Sequence, residues 1–372
     1  MGCKATFSAT LLLVLSAMLL PVLAQEEGTE QSNRKLEKAR AANPAWKPKY
    51  KQANVIKVPT KGGTINNFCL NQQGNLVVCV GPEANQGPTE LQVISPAGKV
   101  LEKIPLKFIP QAICTDAQGC LYVAGIGKVC KLNPQGKILL EMPAPALQVP
   151  AAEQEKWKEQ IKEEMVRVRK EYKEMNSGMK EAELDRLMEN LSKTLATRRG
   201  HAAGIAVIGE EVFVSAPSPA EFGFMVWRLD AKLSNPARFV GRLSGCCGQM
   251  DIQGRGSQLW LAHNGKHKVE CYDAQGRLVT QFGKFDRAAA DGFGGCCEPK
   301  NLTFAPNGDI LAAESGPPVV VKRFTPDGKF LGVLAHPTYK NGCVRVSVAM
   351  SADEKKLFLL NTGDNTIHVF TR

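Results

Sequence analysis

Asn301-Leu302-Thr303-Phe304-Ala305-Pro306-Asn307-Gly308-Asp309-Ile310-Leu311-Ala312-Ala313-Glu314, continued by Val319-Val320-Val321-Lys322-Arg323-Phe324-Thr325-Pro326-Asp327-Gly328-Lys329-Phe330-Leu331, holds four short apolar runs separated by polar breaks. Pro306-Asn307-Gly308 and Pro326-Asp327-Gly328 are turn formers: proline presets φ, the Asn or Asp side chain bonds its own backbone, and glycine accepts a left-handed φ. Runs of this length between such turns predict antiparallel strands. The unit recurs along the chain, with first strands near Ile65, Ile109, Gly204, Gln249, Lys300 and Arg345. The spacing is about 45 residues, apart from one interval roughly a repeat too long. Six units of four strands predict an all-β fold, a six-bladed β-propeller.

The last unit contains only three strands before the chain ends, and residues 54–60 are left over before the first. Pairing the two closes the ring and removes an open edge. The domain reading is therefore a six-bladed propeller over 54–372, with 54–60 as the closing outer strand of the last blade.

The long interval is helical. Trp157, Ile161, Met165, Val168, Tyr172 and Met175 recur at steps of three and four, Asn176-Ser177-Gly178 breaks the pattern, and Leu184, Leu187, Met188, Leu191 and Leu195 resume it. Residues 151–199 are predicted to form an inserted α-helical hairpin. It is expected either to pack simply on the propeller or to act as a lid or docking element.

At the start, Met1-Gly2-Cys3-Lys4 precedes an apolar run from Leu11 to Leu23, and Val22-Leu23-Ala24 fits a cleavage site. The pattern predicts a signal peptide over 1–24, a linker over 25–53, an exported protein in the periplasm or outside the cell, and no membrane span after cleavage. The net charge of +11 is spread along the chain, without the basic and aromatic stripe of a nucleic-acid module.

The units, with an Asp-x-x-Gly turn at Asp273-Ala274-Gln275-Gly276 and a closing Phe282-Gly283, resemble the NHL repeat. More broadly the chain is similar to the senescence-marker and gluconolactonase propellers, exported. That resemblance implies a divalent metal held in the channel by residues such as Glu298, Asn301 and Asp251. The Glu-Gly-Pro-x-Trp opening of that group is absent.

The chain has 12 cysteines. Cys246-Cys247, Cys296-Cys297 and Cys343 each precede a first strand, and His201 occupies nearly the same place in the third unit. Propeller phasing puts these six on one face, around half of the channel mouth, so His201, Cys246, Cys247, Cys296, Cys297 and Cys343 are the expected binding residues. Three chemistries remain open: disulfides at Cys246, Cys247, Cys296 and Cys297, including bonds between adjacent cysteines; a zinc, copper or iron-sulfur site on His201, Cys247, Cys297 and Cys343; or free thiols. Cys69, Cys79, Cys114, Cys120, Cys130 and Cys271 are expected in the core. His263 and His267 are read as loop histidines.

No phosphate loop or nucleophile elbow is present. The leading expectation is an exported scaffold that binds a ligand, metal or protein partner at the Cys-rich mouth. The alternative is a metal-dependent hydrolase or lyase, lactonase-like, or a redox enzyme using the same mouth.

Overall fold

The middle strands of a blade are buried on both faces, because the neighbouring blades cover both. In blade five, β19 (Ile310–Glu314) and β20 (Val320–Phe324) are buried at every residue, whereas the outermost strand β21 (Phe330–Ala335) is half-buried at its start. The computed structural model describes residues 26–175, 180–245, 248–316, 318–337 and 344–372. It contains six four-stranded antiparallel sheets arranged as propeller blades, with two long inserted helices.

In chain order, blade one is β2 (Gly63–Leu70), β3 (Leu76–Pro82), β4 (Glu90–Ile94) and β5 (Val100–Pro105). Blade two is β6 (Pro110–Thr115), β7 (Leu121–Gly125), β8 (Lys128–Leu132) and β9 (Ile138–Pro143). Blade three is β10 (Gly204–Ile208), β11 (Glu211–Pro217), β12 (Phe224–Leu229) and β13 (Ala237–Leu243). Blade four is β14 (Ile252–Arg255), β15 (Gln258–His263), β16 (Lys268–Tyr272) and β17 (Leu278–Phe282). Blade five opens with β18 (Asn301–Phe304) and continues through β19 to β21. Blade six is β22 (Val348–Met350), β23 (Lys356–Asn361) and β24 (Thr366–Thr371), completed by β1 (Lys51–Lys57). The pairing of β1 with β24 runs antiparallel from Lys51 opposite Thr371 to Lys57 opposite Thr366, so the ring is closed by hydrogen bonds between the two ends of the chain.

The core is divided into six wedges between successive blades. Leu311, Val321 and Leu334 of blade five meet Val348, Leu357 and Leu359 of blade six; Val77, Cys79 and Leu91 of blade one meet Val123, Cys130 and Leu132 of blade two. The Asp-x-x-Gly turns work as their chemistry demands. Asp273 Oδ1 accepts the N–H groups of Gln275 and Arg277, while Gly276 sits at φ 74°.

The segment read as a linker, residues 25–53, is ordered structure over its described part. Helix α1 (Glu26–Ala42) leads to Trp46 and Tyr50, both buried. Trp46 donates its indole N–H to Ala288 O, and Lys49 and Tyr50 bond along β21. Two large aromatics bury enough surface to hold a polar segment down, which a reading based on its charge density passes over.

After a short helix α2 (Pro145–Gln148), the insertion comprises α3 (Ala151–Met175) and α4 (Glu181–Thr197). Val168, Tyr172, Leu184 and Met188 pack the two long helices together, and Arg169 joins them through Glu181 and Asp185. At about 1.5–3 kcal/mol per fully buried large apolar side chain, this seam and not the exposed ion pairs holds the hairpin. Trp157 fastens it to the ring, edge-on to Trp227 at 6.4 Å and beside Ala146, Val149 and Met225.

Candidate functional site

Antiparallel strands alternate direction, so the connection from each outer strand to the next inner strand emerges on the same face as the turn between the second and third strands. That face carries the hairpin, His201, residues 244–245, 248–251, 264–267, 283–300 and 344–347.

On it, one arginine ties the start of blade six to blade two and to the connection between blades three and four. Arg345, just before β22, donates to Gln111 O at 3.2 Å and to Gly248 O at 2.8 Å. Surrounding protein pushes its guanidinium pKa down to about 10, burial being the main cause, yet the side chain keeps some solvent contact, as a channel wall does. Arg198, in the helical turn that follows α4, lies close enough to Arg345 to be felt by it and is itself shifted downward by burial. Its guanidinium stands 5.8 Å from the Phe224 ring. Among the described residues, no carboxylate contributes to the environment of either arginine. Two guanidiniums partly withdrawn from water without a counter-charge are costly.

His201 stands beside them. Gln111 Oε1 accepts from Ala202 N at 2.9 Å, which orients the amide so that its NH₂ faces His201 Nδ1 at 3.4 Å. Nδ1 is thereby the acceptor and Nε2 carries the proton. Burial, then Arg198 and Arg345, hold the imidazole below its ordinary pKa, so at neutral pH it is an uncharged donor.

A second polar group lies between blades four and five. Glu298 Oε1 accepts from Ser315 N, Ser315 Oγ and Gly316 N at 2.9, 3.1 and 2.8 Å, whereas Oε2 is buried without a hydrogen-bond partner. Burial raises this carboxyl above the usual range, against the pull of the nearby Lys300 ammonium. A side chain on Gly295 would strike Glu298, so the absence of a Cβ there is what lets the loop close over it.

The cysteines divide differently from the sequence expectation. Cys297 is buried and disulfide-bonded, and Cys296 is an exposed free thiol, so this adjacent pair is not closed on itself. Cys246, Cys247 and Cys343 lie outside the described residues. Cys79, Cys130 and Cys271 are buried free thiols and Cys69, Cys114 and Cys120 partly buried ones. In the most enclosed of these, burial raises the thiol pKa, to about 12 at Cys130, which keeps it protonated and inert.

A metal is a poor fit to the described side chains. As a disulfide, Cys297 has no thiolate to offer zinc, copper or an iron-sulfur centre, and two guanidiniums beside His201 repel a cation. The lactonase-like set also points elsewhere: Asp251 Oδ2 accepts from Leu302 N at 2.8 Å and Asn301 Oδ1 from Val348 N at 2.8 Å, each tying one blade to the next. Among the described residues, no group of three His, Cys, Asp or Glu side chains is placed to hold a metal ion.

His263 is fully enclosed. Its Nε2 accepts from Ser244 N at 3.0 Å and its Nδ1–H donates to Glu270 Oε2 at 2.8 Å, and Tyr272 also donates to Glu270. His267 caps the turn after β15 in a left-handed conformation, φ 56°, with its ring against Phe285. Neither reaches the arginine pair in any contact. Arg198 and Arg345 escape a reading for metal ligands; what marks them is that neither makes an ion pair among the described residues.

No protein-family model matches the chain, and no curated protein matches it. Among solved structures it is similar to a gluconolactonase of Xanthomonas campestris, at 12% identity over 89% of this chain and 97% of that one, with a TM-score of 0.50. It is also similar to a streptogramin B lyase, at 12% identity over 89% of each chain, with a TM-score of 0.47. A virginiamycin B lyase of Staphylococcus aureus gives 11% identity over 87% of this chain and 100% of that one, with a TM-score of 0.48. At such identities the likeness is one of fold. No helix among the described residues is long and apolar enough to cross a membrane.

Proposed function

We propose that the protein is an exported NHL-type propeller whose channel mouth binds a small organic anion, and that it is a hydrolase or lyase acting on that anion. The observation that carries this reading is the pair of partly buried guanidiniums, Arg198 and Arg345, of which Arg345 bonds only backbone oxygens and neither makes an ion pair among the described residues. A substrate carboxylate supplies the missing counter-charge. His201 then offers a neutral Nε2–H to the oxygen on which negative charge develops, whether water adds to a carbonyl carbon or a proton leaves the carbon beside it, and in either case solvent water takes up the released proton. The donor is preorganised through Gln111, so it needs no rearrangement as the charge forms.

Turnover of carboxylate-bearing lactones and esters, each compared with its neutral methyl ester, tests this. The reading expects a preference for the acid, a rise of about tenfold in KM for Arg198→Gln, equivalent to roughly 1.4 kcal/mol, and a fall in kcat for His201→Ala. Equal rates on acid and neutral substrates would contradict it. Saturable binding of the acids without turnover would leave the same mouth as a binding scaffold.

A further inference from the structure

The hairpin does not lie flat on the ring. Between α3, the outer strands of blade three and the end of β9 is an open slot of about 1210 Å³. Its base is apolar, formed by Met142, Trp157, Met225 and Trp227. Trp227 is only 4% exposed, and its indole N–H finds no acceptor within the protein. The slot lies away from Arg345 and His201, neither of which lines it.

The charges along its walls are sorted. Arg167 is neutralised on its own helix by Glu164 and Glu171, and Arg238 stands 3.7 Å from Glu221. That leaves Glu153 and Glu163 on the helix wall and Arg242 on the blade wall, which make no ion pair among the described residues. Arg242 is held there by an irregular backbone. The register between β12 and β13 shifts twice, and Arg242 takes a left-handed φ of 58°, a conformation that an arginine adopts at a cost. Bulges of this kind re-aim a side chain.

We propose that the slot binds a short peptide of apolar residues with free ends, its amino terminus facing Glu153 and Glu163 and its carboxylate facing Arg242. The size exceeds the 300–1,000 Å³ typical of sites for drug-sized ligands, leaving room for several residues. The apolar base takes their side chains, and an occupant's carbonyl supplies the acceptor that Trp227 lacks once the indole swings toward it. A ligand carrying only one charge leaves one wall unanswered.

The probe is the tripeptide Ala-Phe-Leu, followed by tryptophan fluorescence of the full chain. The proposal expects a saturable change that is absent in Trp157→Phe, weakened about tenfold by acetylating the amine or amidating the carboxylate, and lost in Arg242→Glu. Circular dichroism and an unchanged melting temperature establish that this exposed substitution leaves the fold intact. His201→Ala is expected to bind the peptide as wild type does; loss there would move the site to the channel mouth and overturn the assignment. No saturable change, equal binding by the doubly capped peptide, or retention in Arg242→Glu would also overturn it.

Discussion

The wedge between blades five and six and the region between blade three and the hairpin are built from similar residues and differ in what they leave unpaired. In the first, Leu311, Val321, Leu357 and Leu359 close on one another with no space between them, and the polar atoms at the edge, Asn301 Oδ1 among them, are taken by the next blade. In the second, Trp157 packs with Trp227, Val149 and Met225 at one end, while Glu153, Glu163 and Arg242 face a gap. The ring derives its stability from contacts that repeat. Chemistry is found where the repeat is interrupted and charges lose their partners, as at Arg198, which the insertion delivers to the mouth.

The largest effect expected is in the sealed wedge. Leu359→Ala removes a fully buried side chain and should cost about 2–5 kcal/mol, lowering the melting temperature of the whole ring. Leu184→Ala, equally buried but in the hairpin seam, should loosen α3 and α4 to hydrogen exchange while the ring melts almost unchanged. Equal loss of ring stability from both would show that the two regions fold as one unit and erase the contrast.

Next is Asp251, whose burial between blades raises its carboxyl pKa to about 7. The unfolded chain releases this proton near pH 4, whereas the folded chain keeps it until about pH 7. Stability therefore falls as pH rises through that window and stays at the lower level above it. Asp251→Asn keeps an acceptor for Leu302 N without the charge, so it should gain on wild type by up to about 4 kcal/mol between pH 4 and pH 8. Denaturation at the two pH values checks this; a constant difference would show that Asp251 ionises freely. The smallest shift concerns His201. Removing one neighbouring cation in Arg198→Gln should raise the imidazole pKa toward its ordinary value, read by NMR.

Much of this was legible from residue order. The glycine-punctuated strands give the blade count, and the three-and-four spacing from Trp157 to Tyr172 gives the hairpin, because strand and helix periods are local properties of the chain. Blade phasing also brought His201 to the channel mouth. What lay beyond reach was pairing across the ring. Nothing near Arg345 in sequence tells that it will bridge Gln111 and Gly248 with no acid beside it, nor that Gln111 will settle which nitrogen of His201 holds the proton. The cysteine clusters drew attention to thiolate chemistry; at Cys297 the sulfur is already bonded. The docked segment after α1 was hidden for a similar reason, since Trp46 and Lys322, stacked at 4.9 Å, come from opposite ends of the sequence.

If the arginine pair awaits an anion, malonate should be felt at His201, whose ring titration can be followed by NMR with and without it. Bound malonate offsets the guanidinium charge, so the imidazole pKa should rise saturably in wild type and need about tenfold more malonate for the same rise in Arg198→Gln. A His201 titration curve that malonate does not shift in the wild-type protein would contradict the account.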